Sequence, residues 1–395
     1  MQSIIQFFLI LLLLYFTNMI STLPLHIVLV SLFALMTLIQ IWYYLHYYRR
    51  AAFYKSQGLP EAAGLPPVTI IICARNEARN LQSFLPSVLE QNYPSFEVVV
   101  VNDCSEDDTF NVVGLLMEKH PNLKISSIQK DPGFTHAKKL AMLIGIKAAS
   151  NDLLVFTDAD CQPVSDKWLR YIVSKTGEKT EIVLGYGGYM AGKGLLNHYL
   201  RYETMFIGTQ YAGMAMAGSP YMGVGRNLCY SRNFFFESGG FGPFNHVLSG
   251  DDDLFVNRNA TSENCRMMLD KESFTRSVPP KNFSEWIRQK QRHMTTARYY
   301  KAGDKLRLFL EPFSRVAYYG LLVALLIMLV SWPIVAGLAL LRFVIRAVVI
   351  RKSCKTLDEK ELWFFSLFFD ILSPFVSSVL FLANTRRGKR RPSWK

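Results

Sequence analysis

The chain has 395 residues, a formal net charge of +13 and a hydrophobic share of 50%. The apolar excess is gathered in long runs near both ends, which excludes a wholly soluble protein, and the length leaves room for more than one domain. The positive charge does not point to nucleic acid. Much of it flanks the apolar runs, at Arg49, Arg50 and Lys55, at Arg351, Lys352 and Lys355, and from Arg386 to Lys395. Basic clusters so placed mark the cytosolic side of a membrane and contact anionic lipid.

In chain order, residues 4–20 and 26–45 are the first two apolar runs. The opening MQSIIQ lacks a positive charge and a second run follows closely, so the first reads as a retained anchor, not a cleaved signal. Residues 55–67 form a linker rich in Gly, Pro and Ala. The spacing then predicts strands at 68–73, 96–101, 123–128 and 153–157, with helices at 80–91, 107–120 and 136–149. Strands alternating with helices imply a parallel sheet with right-handed crossovers. Six cysteines show no CxxC pairing and no metal spacing, as expected of free thiols in a cytosolic domain.

Residues 282–300 mix aromatic, apolar and cationic side chains, which suits a helix in the membrane interface. The third apolar run covers 316–341, is broken at Pro333 and continues at 343–350; the fourth covers 362–383. These lengths approach the ~20 apolar residues of a bilayer crossing. A hairpin turning at Ser331-Trp332-Pro333 makes the Arg351 cluster cytosolic. A full fourth span would then put the basic tail outside, against the positive-inside rule. Asp370 and Pro374 within that run leave a bent or re-entrant course open. The expected organisation is two transmembrane helices in 1–48, a linker at 49–67, an α/β domain at 68–281, interfacial helices at 282–312, transmembrane helices at 313–384 and a basic tail at 385–395.

The chemistry-bearing residues are acidic. Asp103 closes VVVVND, Asp158 and Asp160 lie in LLVFTDAD, and Asp252 lies in SGDDDL. The first three follow β-branched, apolar runs that read as buried parallel strands. Ligands of open α/β sheets bind at the carboxyl ends of such strands, so these carboxylates are expected to converge on one crevice. A cluster of Asp there needs a cation, and D-A-D is a compact way to hold one beside a diphosphate. Each motif alone also reads blandly: Asp103 or the D-A-D pair as a helix cap, residues 251–253 as a solvated turn.

In order and spacing, these motifs resemble the membrane-bound family 2 glycosyltransferases. That branch includes hyaluronan, cellulose and poly-N-acetylglucosamine synthases and ceramide glucosyltransferase. The match covers roughly residues 68–300 through VTIIICARNE, VVVVND, the K-x-x-A of Lys138–Ala141, TDAD, GDD and Q-x-x-R. It implies an α/β domain of GT-A type, Rossmann-like with a mostly parallel sheet, flanked by N- and C-terminal transmembrane helices. It also implies the roles. Asp103 meets the uracil of a nucleotide sugar, with Arg75, Asn76 and Glu77 near the nucleotide. Lys138, favoured over Lys139 by register, faces base or phosphates. Asp158 and Asp160 bind Mg2+ or Mn2+, with Asp158 also beside the donor. Asp252 is the general base of an inverting displacement. Asp251 and Asp253 flank it, and mutual repulsion among the three is expected to raise the pKa of one of them, which one being left open. Gln289 and Arg292 share a helix face, where the Arg can fork onto the donor diphosphate.

The family's Trp after the Arg is His293 here, which weakens inference about the acceptor. The segment 218–232 matches the acceptor-side wall, with Gly225, Arg226 and Asn227 as candidates beside Asp251 and His293, although G-x-G also reads as a plain turn. The expected donor is a nucleotide sugar, a UDP-sugar foremost. The expected acceptor is a lipid or lipid-linked glycan, ahead of a processive exported polysaccharide, because the membrane part is small. A catalytically dead scaffold is the reading from another class, opposed by intact Asp103, Asp158, Asp160, Asp252 and Arg292. Membrane lipids are expected partners and nucleic acid is not. The expected location is a bacterial inner membrane with the catalytic domain cytosolic.

Overall fold

The structure is a computed structural model that describes residues 24–59, 61, 64–129, 138–247 and 249–386. The predicted anchor at 4–20, the first two residues of the predicted 136–149 helix and the tail beyond 386 lie outside the described residues. Contacts divide the chain into two compact units, Met1–Leu45 with Arg307–Val348, and His46–Leu306 with Val349–Lys395.

The chain enters through α1 (Leu25–Ala52), which contains a π-helical turn at Tyr43–Tyr48. The α/β part then runs β1 (Val68–Ala74), α2 (Ala78–Leu89), β2 (Phe96–Asp103), α3 (Thr109–Met117), β3 (Leu123–Ile128), α4 (Lys138–Ala148) and β4 (Leu153–Asp158). These are the predicted elements in the predicted order. Next come β5 (Cys161–Pro163), α5 (Trp168–Val173), β6 (Ile182–Leu184), β7 (Gly187–Tyr189), the long α6 (Leu195–Met216), β8 (Leu228–Ser231) and α7 (Arg232–Glu237). Helix α8 (Asp253–Asn259), β9 (Cys265–Met267), β10 (Thr275–Ser277) and α9 (Phe283–Met294) complete it.

The sequence of β1, VTIIICA, is buried at every position, and β2 is buried from its second residue onward. β-Branched side chains fit a strand covered on both faces. In α2, Leu81, Leu85, Val88 and Leu89 recur at helical spacing and close on Ile70, Ile72, Val98 and Val100 in one core. The main sheet has the order β3-β2-β1-β4-β8-β6-β9. Strands β3, β2, β1 and β4 are parallel, whereas β8 is antiparallel to β4 and β6. The chain leaves β1 toward β2 on one side and later returns to β4 on the other. Crevices open at the carboxyl ends beside such a switch. A second sheet, β5-β10-β7, carries the residues just after the D-A-D motif.

Among the described residues, four helices are long and apolar enough to cross a membrane: α1, α10 (Ala302–Met328), α11 (Trp332–Thr356) and, within α12 (Leu362–Arg386), the stretch Leu362–Leu380. In the smaller unit Phe33, Met36, Tyr318, Leu325 and Val335 form the core. Polar groups there are paired: Gln40 Nε2 donates to Ser314 Oγ at 2.8 Å, and Arg342 Nη2 donates to Gln40 Oε1 at 3.1 Å. The predicted turn at Ser331-Trp332-Pro333 sits slightly upstream. Leu329 and Ser331 take left-handed φ values of 52° and 49°, whereas Trp332 and Pro333 open α11, where a proline's missing N–H costs nothing. Helix α12 continues through Pro374.

Candidate active site

Three strand ends supply the first group. Asp103 is the last residue of β2 and is 1% exposed, and Arg75, just past β1, brings Nη1 to 4.0 Å from Asp103 Oδ2. Asn76 takes a left-handed φ of 56°. It ties two turns together: its N–H donates to Ser105 Oγ at 2.9 Å and its Oδ1 accepts from the Glu106 N–H at 2.8 Å. Glu77 departs from expectation. It is buried, accepts from Asn80 Nδ2 at 2.5 Å and gives its N–H to Thr109 Oγ1. Its carboxylate therefore serves the turn that starts α2. Asp103 is no helix cap, since Asp107 accepts the Thr109 N–H at 3.0 Å.

Asp158 ends β4, and one ligand atom each of Asp158, Asp160 and Cys161 lie within 4.8 Å of one another. Burial, followed by Asp160 and Asp158, pushes the Cys161 thiol well above its ordinary range. A soft thiol is a poor ligand for a hard cation in any case. The two carboxylates fit Mg2+ or Mn2+, which take oxygen ligands and leave positions for diphosphate oxygens and water. Lys138 Nζ stands 2.7 Å from Asp158 Oδ1 and 3.4 Å from Asp251 Oδ2. Burial opposes its charge, but Asp158, Asp251 and Asp252 outweigh burial and raise it well above the usual lysine range. Burial likewise works against Asp158, yet Lys138, then Arg226 and Arg292, hold its carboxyl below the ordinary value. Lys139 points elsewhere, donating to the carbonyls of Phe244, at 2.7 Å, and Val247. The K-x-x-A register had favoured Lys138.

The GDD segment faces this group. Asp252 Oδ2 accepts the Gly225 N–H at 2.7 Å and Oδ1 accepts the Asp253 N–H at 2.7 Å. A Cβ at Gly225 would lie 3.3 Å from Asp252 Oδ2 and 3.5 Å from Lys138 Nζ, so glycine leaves the approach open. Burial, then Asp251 and Asp253, push Asp252 up to about 7, against the opposing pull of Lys138 and the Gly225 amide. Asp253 Oδ2 accepts the hydroxyls of Tyr300, at 2.7 Å, and Thr296. Asp251, expected on the acceptor side, is 5% exposed and turned to Lys138. It adds to the charge around Asp252.

Helix α9 is started by Asn282, whose Oδ1 accepts the Glu285 N–H at 3.0 Å. It is pinned to α6 through Glu203, which takes Trp286 Nε1 at 3.1 Å and Lys290 Nζ at 2.9 Å. This fixes the face carrying Gln289 and Arg292. Tyr189 donates its hydroxyl to Gln289 Oε1 at 3.0 Å. Above the Tyr189 ring, at 4.9 Å, lies the Arg226 guanidinium, which donates to Ser277 Oγ at 2.8 Å. Arg226 was expected to contact acceptor or phosphate. It lies on the D-A-D side, acting on Asp158 and Asp160, together with Arg292, which also acts on Asp158. His293 keeps surface open to solvent; partial burial, then Arg292, Lys290, Arg226 and Lys138, shift its pKa downward.

Asn227 corrects the expectation most plainly. It is 0% exposed, its Oδ1 accepts Trp168 Nε1 at 3.0 Å and its Nδ2 donates to the carbonyls of Tyr186 and Ser273, each at 2.8 Å. Its amide is spent inside the core. Tyr189, Ser277, Thr296 and Tyr300 went unnoticed in the sequence; they belong to no motif, and only the packing brings them to it.

A family model for glycosyl transferase family 21 matches residues 29–388. The chain belongs to this family. It is a glycosyltransferase. Glycosyltransferase AglE of Haloferax volcanii is 31% identical over 202 residues, 48% of this chain and 59% of AglE. Ceramide glucosyltransferase 1 of Caenorhabditis elegans is 24% identical over 210 residues, 52% of this chain and 44% of that protein. The chain thus spans about half the length of these relatives. A mannosyltransferase of Pyrobaculum calidifontis, solved with GDP-Man and Mn2+, superposes with a TM-score of 0.54 at 19% identity, covering 88% of this chain and 99% of that one. The family 21 chain therefore has a GT-A fold with apolar helices flanking it.

Proposed function

We propose that this family 21 enzyme transfers one sugar from a nucleotide sugar, a UDP-sugar foremost, to a lipid or lipid-linked acceptor, with inversion. The observation that carries the reading is Asp252, poised near neutral pH beside a Lys138–Asp158 pair. Asp103 and Arg75 hold the base, and Arg226, Arg292 and Lys138 hold the diphosphate. Asp158 and Asp160 would bind Mg2+ or Mn2+, which neutralises charge on the departing diphosphate. Asp252 takes the proton of the acceptor hydroxyl as that oxygen bonds to the anomeric carbon. The bond from that carbon to phosphate oxygen breaks, and its electron pair leaves with the nucleoside diphosphate. Arg226 and Arg292 lie where the leaving charge grows, and fixed cations of this kind need no reorganisation during reaction.

The lipid acceptor is supported by the four apolar helices and by the similarity to a ceramide glucosyltransferase. The basic helix ends support a cytosolic catalytic domain, and the membrane proposed is a bacterial inner membrane. The test is incubation of purified protein in lipid with a panel of UDP- and GDP-sugars, products being separated by solvent partition and by size. A labelled, lipid-soluble product of discrete size is expected. A long water-soluble chain would make the enzyme a polysaccharide synthase.

A further inference from the structure

Outside the crevice, basic side chains gather where two apolar helices end. Along α1, the aromatic stretch Trp42-Tyr43-Tyr44, with Tyr47 and Tyr48, gives way to Arg49 and Arg50. Aromatic residues of this kind sit at the membrane–water interface, so the two arginines, within about two turns, fall at headgroup level. On α11 the apolar run stops at Ile350 and Lys352 follows. These ends adjoin one another within the larger unit. Thr356 Oγ1 donates to the Ala52 carbonyl at 2.8 Å, and Lys352 Nζ lies 5.5 Å from the centre of the Phe53 ring. Two helices thus change from apolar to basic at one level.

An open hollow of about 480 Å3, lined by Arg49, Arg50 and Phe53 at the end of α1, lies here. Arg50 is oriented by backbone carbonyls, its Nε donating to His46 at 3.0 Å and Nη1 to Met216 at 3.4 Å. A guanidinium has five N–H donors, of which these contacts engage two. Phe53 is 46% exposed and supplies an apolar wall. Among the described residues no carboxylate pairs with Arg49, Arg50 or Lys352.

We propose that this cavity binds the phosphodiester headgroup of one anionic bilayer phospholipid. Arg49 and Arg50 hydrogen-bond the phosphate oxygens, Lys352 adds charge, and Phe53 packs against the glycerol and upper acyl carbons. Basic pockets between membrane helices on the cytosolic side suit such headgroups. A zwitterionic lipid presents the same phosphate but also a cation that the three basic side chains repel. The inference rests on reading α1 and α11 as membrane-spanning, and it is independent of the crevice chemistry.

The test is native mass spectrometry of the detergent-purified full chain after equilibration with phosphatidylglycerol or phosphatidylcholine. One phosphatidylglycerol is expected to be retained per chain, in preference to phosphatidylcholine. Each cation near such a lipid is worth about fivefold in affinity, so Arg49→Gln, Arg50→Gln and Lys352→Gln together lower retention on the order of a hundredfold. Arg351→Gln with Lys355→Gln removes nearby charge outside the cavity and should leave retention within about twofold. Equal retention of both lipids, or equal loss in the two variants, would overturn the site in favour of diffuse charge. Nucleotide release from a donor sugar checks that each variant is folded. Wild-type protein that fails to sediment with liposomes of any composition would remove the membrane reading instead.

Discussion

Replacing Asp251 with Asn should move the pH dependence of catalysis toward acid. As a base, Asp252 must be ionised, and its folded pKa is raised to about 7, so kcat/KM should fall as pH drops through that value. Asp251 is one of the causes of that elevation. Adjacent Cα atoms are about 3.8 Å apart, which puts the two carboxylates on the order of 6 Å apart, where they repel by roughly 3 kcal/mol at an effective dielectric of ~20. That is about 2 pKa units. Lys138, 3.4 Å from Asp251, offsets part of it, so Asp251→Asn should shift the acid limb of kcat/KM down by about 1 unit. The assay is nucleotide release at subsaturating donor from pH 5 to 9. An acid limb that stays in place, or moves toward alkaline pH, would refute the idea that like charge tunes Asp252.

Asn227→Ala should unfold the domain more easily while saying little about chemistry. It strands the Trp168 N–H and two carbonyls in a fully buried place, a loss of about 3–5 kcal/mol, visible as a large drop in the thermal or denaturant midpoint; unchanged stability would contradict the buried role. Glu359 is wholly buried and accepts from Arg201, at 2.5 and 2.9 Å, and from Arg276, whose neighbour Ser277 holds Arg226. Glu359→Gln should therefore raise the donor KM about tenfold, the equivalent of one weakened charge-assisted hydrogen bond, with a smaller change in kcat; the reverse pattern would remove Arg226 from donor binding. Asp160→Asn should raise the concentration of Mn2+ or Mg2+ needed for half-maximal release by at least about tenfold, and a metal titration matching wild type would exclude Asp160 as a ligand.

The front half of the sheet was legible because its residues carry the pattern locally. Four β-branched residues in a row, as in Val98–Val101, favour a covered strand over a buried helix, and the acid that ends each run lands at the crevice mouth. Lys138 was separated from Lys139 by register alone. What lay beyond reading depended on contacts distant in sequence. Arg226 and Asn227 are neighbours with opposite fates, one stacked on Tyr189 and the other consumed by Trp168, Tyr186 and Ser273. Nothing in GVGRN distinguishes them. The room for Arg276 comes from Gly188, where a Cβ would sit 2.2 Å from its guanidinium, and its partner Glu359 lies 83 residues away. The apolar run around Trp332 mispositioned the turn because Pro333 reads as a breaker, although a helix accepts it in its first turn.

The central claim is that Asp252, set between Gly225 and its acidic neighbours, is the base of a metal-assisted glycosyl transfer. It is tested most directly by donor turnover in purified wild-type and Asp252→Asn protein, with donor affinity measured in parallel. The account predicts wild-type affinity for the nucleotide sugar and a loss of turnover on the order of a hundredfold or more in the variant. Turnover within about twofold of wild type, with donor bound equally well, would contradict it and return the search for the base to the rest of the crevice.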